Sequence, residues 1–260
     1  MRSIRPVIGV YLCFVLVLST SAQQTTTQAG QASALLQSAF AALVGASPVN
    51  DVTLSGTAHY IAGSDDETGT ATLKAVSGAS RVDLNLSSGT RSEVWNNLSG
   101  SPVGTWSGPD GVSHPISFHN LLLIDPAWFS PAFPVSRGLS SGYVATYVGQ
   151  ETWNSLAVQH LSISQQAVDS SDSAALLQHL SQIDLYLDSS TFLPVALAFN
   201  IHPDDNELLD IPVEIRFSDY RSVNSAQVPF HVQKFLNNGL ILDLQFQSAI
   251  LNSGLSASAF

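Results

Sequence analysis

Residues 211–217 read IPVEIRF, and this stretch shows the pattern that decides the fold. Its apolar side chains, from Ile211 to Phe217, alternate strictly with Pro212, Glu214 and Arg216. Successive side chains of an extended strand point to opposite faces, so the apolar set would share one face. A strand with one apolar and one polar face is typical of an antiparallel sheet that packs on one side and meets water on the other.

The same period of two recurs along the chain. It is clear over residues 81–86, 183–188 and 240–250. Weaker runs lie near 52–60, 70–76, 90–96, 102–107, 142–149, 156–164, 194–201 and 228–236. Asn237-Asn238-Gly239 and Asp110-Gly111 supply the residue types that tight turns require. The sequence therefore predicts a mainly β protein of about eleven antiparallel strands.

Two stretches have helical features. Apolar residues over 35–44 recur at a period of 3.6, with Ser33 as a predicted N-cap and Gly45 as a predicted stop. Residues 169–180 open with polar caps and continue with alanine and leucine, which indicates a short helix between two strands.

The most apolar stretch, residues 116–129, breaks the alternation differently. We predict a helix here, followed by an aromatic loop that Pro131 and Pro134 stiffen around Phe133. Large aromatics in such a loop are typical of a cavity mouth, of a segment that touches a membrane surface transiently, or of packing alone.

A sheet of about eleven strands must cover one long apolar face. It can do so as a sandwich, as a closed barrel, or by curving around helices. The apolar helices favour a single curved antiparallel sheet, an incomplete barrel wrapped around helices. Helices that fill only part of the concave side would leave an apolar, lipid-sized cavity, whereas helices that fill it completely would leave a solid core. The pattern leaves these two outcomes open.

The first residues have the composition of a secretory signal. Arg2 and Arg5 precede an apolar run over residues 7–18, and small residues follow over 19–22. This order predicts a signal peptide over residues 1–22, because its apolar core is too short to span about 30 Å of hydrocarbon. We therefore expect a periplasmic or secreted protein.

The rest of the chain is expected to form a flexible leader over residues 23–32 and one domain over residues 33–260. The single cysteine, Cys13, lies within the signal, so the mature protein would have no disulfide and no thiolate ligand. The chain has 9 basic and 20 acidic side chains. Such an acidic balance argues against nucleic-acid binding, which needs a basic footprint.

Two hairpins carry a family resemblance. Residues 188–195, DSSTFLPV, and residues 219–230, DYRSVNSAQVPF, resemble hairpins of the LolA/LolB-like periplasmic lipoprotein carriers and receptors, in particular their secreted relatives of unassigned role. The likeness extends over about residues 33–260. It implies an incomplete barrel with a helical lid that holds acyl chains in an apolar cavity. One departure is that no arginine follows the strand at residues 69–74, where carriers of the family have one.

Motifs for chemistry are weak. Gly138-Leu139-Ser140-Ser141-Gly142 matches G-x-S-x-G, but a strand follows the serine where a nucleophile elbow has a helix, so we predict a flexible loop. None of the seven histidines makes a metal-binding pair in sequence, and the acidic runs 65–67 and 204–210 lack the spacing of a calcium loop. We predict no catalytic residue, cofactor or metal.

These observations together predict a non-enzymatic protein that binds an apolar ligand, either a lipid or the acyl chain of an acylated protein, in the concavity of its sheet. The residues expected to line this site are Leu84, Leu121, Leu122, Trp128, Phe129, Phe133, Phe199 and Phe217. The alternative is an extracellular module that binds glycans or a protein, because Trp95 and Trp106 lie on neighbouring predicted strands and could stack on a sugar ring.

Overall fold

The structure is a computed structural model that describes residues 18–167, 169 and 171–260, with side chains from residue 27 onward. Its main element is one antiparallel sheet of thirteen strands. The strands are Asp51–Ala62 (β1), Asp65–Val76 (β2), Ala79–Leu86 (β3), Gly89–Asn96 (β4), Val103–Ser107 (β5), Ser113–Pro115 (β6), Tyr143–Trp153 (β7), Leu156–Gln165 (β8), Ile183–Asp188 (β9), Pro194–Ile201 (β10), Ile211–Val223 (β11), Ala226–Leu236 (β12) and Gly239–Leu251 (β13).

The sheet is curved and does not close. Its order is β6-β5-β4-β3-β2-β1-β13-β12-β11-β10-β9-β8-β7, so β6 and β7 are the two edges. Trp106 on β5 and Phe199 on β10 are eight strands apart, about 38 Å in a flat sheet, yet both line one cavity. This curvature confirms the predicted incomplete barrel. The strand count exceeds the predicted eleven, in part because the three-residue β6 is too short to show periodicity.

The alternating residues face inward as predicted, with one exception. Val213, Ile215 and Phe217 are buried. Strand β13 has a bulge where it pairs with β1. Ser55 of β1 pairs with Ser248, but the next residue, Gly56, pairs with Phe246, so β13 has one extra residue between the two pairs. A bulge reverses which side chains face the core. Ile250, which was predicted to face the core, is therefore 56% exposed, and Leu251 is buried instead.

The first helix, Leu18–Val44 (α1), packs its apolar face against β7 and β12 on the concave side. It ends at Val44 as predicted, but Ser33 lies inside it and is not an N-cap, and the backbone of residues 23–32 is helical. The signal sequence predicted over residues 1–22 falls mostly on residues 1–17, which lie outside the described residues. The division into signal, leader and domain stays a prediction.

Gly45 ends α1 in a left-handed conformation with φ +60°. A Cβ atom added there would lie 2.2 Å from the carbonyl oxygen of Ser225. Because only glycine combines this φ with so close an approach, the residue fixes where the chain leaves α1 for β1.

The predicted helix over residues 116–129 is wrong. The structure has a five-residue 3-10 helix, Phe118–Leu122, then an irregular loop, then a helix at Ala132–Gly138 (α2). The ring of a proline disfavours helical backbone angles at the residue before it. Pro126 therefore disfavours a helix at Asp125 and interrupts the predicted helix. Pro134 lies in the first turn of α2, where helix N–H groups have no intrahelical partner and proline is tolerated.

The segment from 116 to 138 connects the two edges of the sheet, from β6 across to β7. The third helix, Asp172–Ser181 (α3), connects β8 to β9, and the hydroxyl of Ser171 caps it by accepting from the amide of Ala174 at 3.2 Å. A 3-10 helix at Ala257–Ala259 ends the chain. Within the described residues, no helix combines the length and the apolarity needed to cross a membrane.

Candidate functional site

Two adjacent cavities lie on the concave side of the sheet, with volumes of about 240 and 270 Å³. Glu93, Trp106, Trp128 and Lys234 line both of them. We call the pair the tryptophan groove. Its other apolar lining residues are Tyr60, Val82, Leu84, Ile241 and Leu242 in the first cavity and Trp95, Pro115, Ile116, Leu123, Pro126, Phe199 and Ile201 in the second.

Trp128 is positioned by the loop that leads into α2. The carboxylate of Asp125 accepts hydrogen bonds from the amides of Gly78 at 3.2 Å and Ala127 at 3.0 Å. The hydroxyl of Ser80 donates to the carbonyl of Pro126 at 3.1 Å. These contacts tie the loop to the start of β3. Trp128 therefore projects into the groove from a fixed backbone and is only 4% exposed.

Asp125 is itself an unusual group, because its carboxylate is fully buried. Burial raises the pKa of Asp125 to about 6, although the amide of Ala127 and the guanidinium of Arg137, at 3.5 Å, both act to lower it. The folded protein therefore holds this proton more tightly than the unfolded chain does.

Lys234 supplies a positive charge to the groove. Its Nζ lies 4.7 Å from the centre of the Trp128 ring. No carboxylate of the described residues lies within 4.0 Å of that nitrogen. Arg91, the other cation of the groove, is by contrast paired with Asp65 at 3.1 Å and Glu67 at 3.3 Å. Lys234 is thus available to a bound anion in a way that Arg91 is not.

Glu67 neutralises Arg91 from the start of β2. Its carboxylate accepts from the hydroxyls of Ser87 at 2.8 Å and Ser88 at 2.9 Å. These donors lower the pKa of Glu67 to about 2. The residue is therefore ionised at any physiological pH.

At its far end the groove reaches a cluster of polar side chains. The amide of Asn120 donates to the carbonyl of His202 at 2.8 Å and its oxygen accepts from the amide of His202 at 2.9 Å. Phe199 lines both the groove and a further cleft of about 290 Å³, which His179 and Asp210 also line. Burial lowers the pKa of His202, and its hydrogen bond to Asp210 opposes that shift.

His179, His202 and Asp210 come close enough to share a cation. Their donor atoms lie within 4.8 Å of one another. The sequence predicts no metal site. These residues lie on α3, just after β10 and just before β11, and they form no motif in sequence. The only signal in sequence was the acidic run near 204–210, which reads equally well as a solvated turn.

The structure distributes the eight predicted site residues unevenly. Leu84, Trp128 and Phe199 line the groove. Phe129, Phe133 and Phe217 are buried in the core behind it, and Leu121 and Leu122 lie in the 3-10 helix beside it. Contact of any of these side chains with a ligand stays a prediction.

Trp95 and Trp106, predicted as a sugar platform, also line the groove. Glu93 pairs with Trp106 across β4 and β5, and Trp95 is two residues further along β4, so both indoles lie on one face. One face of the Trp106 ring is already covered, because His114 stacks on it at 4.5 Å.

The G-x-S-x-G stretch begins at Gly138, the last residue of α2, and continues as a turn that leads into β7; its predicted flexibility stays a prediction. Ser140 is exposed, and its hydroxyl donates to the carbonyl of Arg137 at 2.6 Å. Helix α2 precedes it and β7 follows, which is the reverse of the order in a nucleophile elbow.

No protein-family model matches the sequence, and no curated protein matches it. Solved structures do match. A putative outer membrane lipoprotein-sorting protein domain from Vibrio parahaemolyticus aligns over 88% of this chain and 96% of its own, with 15% identity and a TM-score of 0.54. A LolA superfamily protein from Nitrosomonas europaea aligns over 88% of this chain and 96% of its own, with 14% identity and a TM-score of 0.52.

A DUF1329 family protein from Desulfovibrio piger aligns over 90% of this chain and 97% of its own, with 10% identity and a TM-score of 0.56. At such identities the likeness shows the fold alone. It confirms that the sheet and helices have the LolA-like arrangement implied by the hairpin resemblance.

Proposed function

We propose that this chain, which has the LolA-like fold, is a secreted or periplasmic, non-enzymatic protein that binds an amphiphile with an acyl chain and an acidic head group. The ligand would be a free lipid or the acyl chain of a lipoprotein. The observation that carries the proposal is the tryptophan groove, an apolar channel with an unpaired ammonium group beside its central indole.

The apolar wall supports the acyl chain. Each cavity is a little below the roughly 300 Å³ at which small-molecule sites begin, and the two share four lining residues, so together they fall within the usual range. Burial stabilises a bound chain by about 0.8 kcal/mol per CH₂ group. A chain that reaches from Leu84 to Phe199 would contact apolar side chains along most of its length.

Lys234 supports the acidic head group. An ammonium group against an indole face is held by the ring and is partly shielded from water, which strengthens its attraction for an anion. A carboxylate or phosphate that lies beside Trp128 would accept a charge-assisted hydrogen bond from Lys234. A neutral head group would gain less from this residue, because it accepts a hydrogen bond without the attraction between opposite charges.

Native mass spectrometry of gently purified protein tests the proposal. We expect a co-purifying lipid of one chemical class. A Leu84→Trp variant should lose it, because the side chain of Leu84 lines the groove and an indole there would fill the space. Ser248→Trp is the matched control, since Ser248 is exposed on β13 and lines neither cavity. Protein free of lipid in both the parent and the control would contradict the proposal.

A glycan-binding module is the second candidate, favoured by the shared face of Trp95 and Trp106. A glycan-array signal that disappears in Trp95→Ala, together with the absence of lipid by mass spectrometry, would support this function in place of lipid binding.

A further inference from the structure

We propose that His179, His202 and Asp210 form a zinc-binding site. The inference goes beyond lipid binding and does not depend on it. Nε2 of His179 lies 2.9 Å from Oδ1 of Asp210, and Nε2 of His202 lies 3.1 Å from the same oxygen. Two imidazoles therefore converge on one carboxylate oxygen.

The spacing fits a tetrahedral ion. Zinc binds histidine nitrogen at about 2.0–2.1 Å and carboxylate oxygen at about 2.0–2.2 Å, which places neighbouring ligand atoms about 3.4 Å apart. The two nitrogen–oxygen distances are within about 0.5 Å of that value. Small side-chain movements would replace two hydrogen bonds by three metal bonds.

The donor set favours zinc over calcium. Two imidazoles with one carboxylate suit zinc, whereas calcium requires six to eight oxygen ligands. Three protein ligands leave a fourth position, and His179 and Asp210 line the 290 Å³ cleft, which gives an ion a path of entry. A water molecule or His119 could occupy it. The ring of His119 lies edge-on to His202 with 6.0 Å between centroids, and its Nε2 has no hydrogen-bond partner among the described residues.

The ligands are held in place before any ion binds. The side chain of His202 is 1% exposed, and Asn120 fixes its backbone through both its amide and its carbonyl. His179 lies in the last turn of the capped helix α3. Such preorganisation reduces the ordering cost of binding.

Other His–carboxylate pairs of this protein show what an ordinary pair looks like. His59 contacts Asp66 at 2.6 Å, and His231 contacts Asp243 at 3.1 Å, each on the strands of the sheet. Each of these carboxylates has one histidine partner. Asp210 has two, one of them almost fully buried, and this difference singles out the proposed site.

Calorimetric titration with zinc chloride alone tests the site. Untagged full-length protein, stripped of metal by a chelator and free of added lipid, should bind one zinc ion per chain. His179→Ala and Asp210→Asn should each weaken binding by about 10-fold or more, since metal sites are that sensitive even to outer partners. Both side chains are partly exposed, so these variants should fold. His59→Ala, which removes an ordinary pair, should bind zinc like the parent.

A second readout reports geometry. Cobalt(II) added to the stripped protein should give the visible absorption of a four-coordinate ion, and His179→Ala should abolish it. Zinc binding that is undetectable in the parent, or equally strong in His179→Ala and Asp210→Asn, would overturn the proposal. The lipid proposal would stand in either case, because no lipid enters this experiment.

Discussion

The Nζ atom of Lys234 lies 4.7 Å from the centre of the Trp128 ring, where it joins strand β12 to the loop that crosses between the edges of the sheet. The indole faces the apolar groove, and the ammonium group lies at the boundary between the groove's two cavities. This pair explains how one groove can hold both an alkyl chain and a negative charge.

The first prediction concerns head-group selectivity. Lys234→Met keeps the length of the side chain but removes its charge. We expect affinity for a long-chain fatty acid to fall by about 10- to 100-fold, since a hydrogen bond to a charged group contributes about 1.5–3 kcal/mol. Affinity for the matching fatty alcohol should fall much less, because its hydroxyl carries no charge. Lys74→Met, on β2 away from the groove, is the control, and an equal loss for acid and alcohol in Lys234→Met would refute the role of the charge.

The second prediction concerns Asp125. Its pKa is raised to about 6 in the folded state, so its contribution to stability is fully present below pH 4 and is lost as pH rises through about 6. Asp125→Asn should remove this dependence. We expect the free energy of unfolding of the parent, relative to the variant, to fall by up to about 3 kcal/mol between pH 4 and pH 7. Urea denaturation across this range measures it, and parallel pH profiles would show the assignment to be wrong.

The third prediction concerns Glu67, whose contribution to stability changes with pH in the opposite direction to that of Asp125. The pKa of Glu67 is lowered to about 2 by the Ser87 and Ser88 donors, so its contribution is present above its ordinary pKa and is lost as pH falls through about 2. Glu67→Gln should therefore destabilise the protein at pH 6 and have little effect near pH 2. A constant difference in unfolding free energy at both pH values would contradict this account.

The fourth prediction compares two glycines of the first helix. Gly45→Ala should lower the free energy of unfolding by more than about 1 kcal/mol, because alanine is strained at φ +60° and its Cβ would meet the carbonyl of Ser225. Gly30→Ala should instead raise it, by up to about 1 kcal/mol, because a Cβ there meets no atom within 4 Å and alanine favours helix. Thermal unfolding of both variants would show whether the signs differ as expected.

The alternation of apolar residues was enough to predict the class of the fold, because a period of two reports directly which side chains face the core. It failed at Ile250, where the bulge on β13 reverses the faces, since one extra residue leaves no mark in the sequence. The helix predicted from apolarity over residues 116–129 was also wrong. There the apolar side chains are buried because the curved sheet brings distant strands against them, and not because they share one face of a helix.

The candidate sites were harder to predict than the fold. Trp128 could be recognised as a cavity residue from its place in an aromatic, proline-rich loop. Lys234 could not, because its role depends on β12 lying opposite that loop across the curved sheet. His179, His202 and Asp210 are likewise brought together only by tertiary structure, which no local spacing records.

The central claim, that the groove holds an acyl chain, is tested most directly by titrating the protein with a fluorescent long-chain fatty acid. The account predicts saturable binding of one molecule per chain, lost in Leu84→Trp and retained in Ser248→Trp. Binding that fails to saturate, or that is equally strong in both variants, would contradict it.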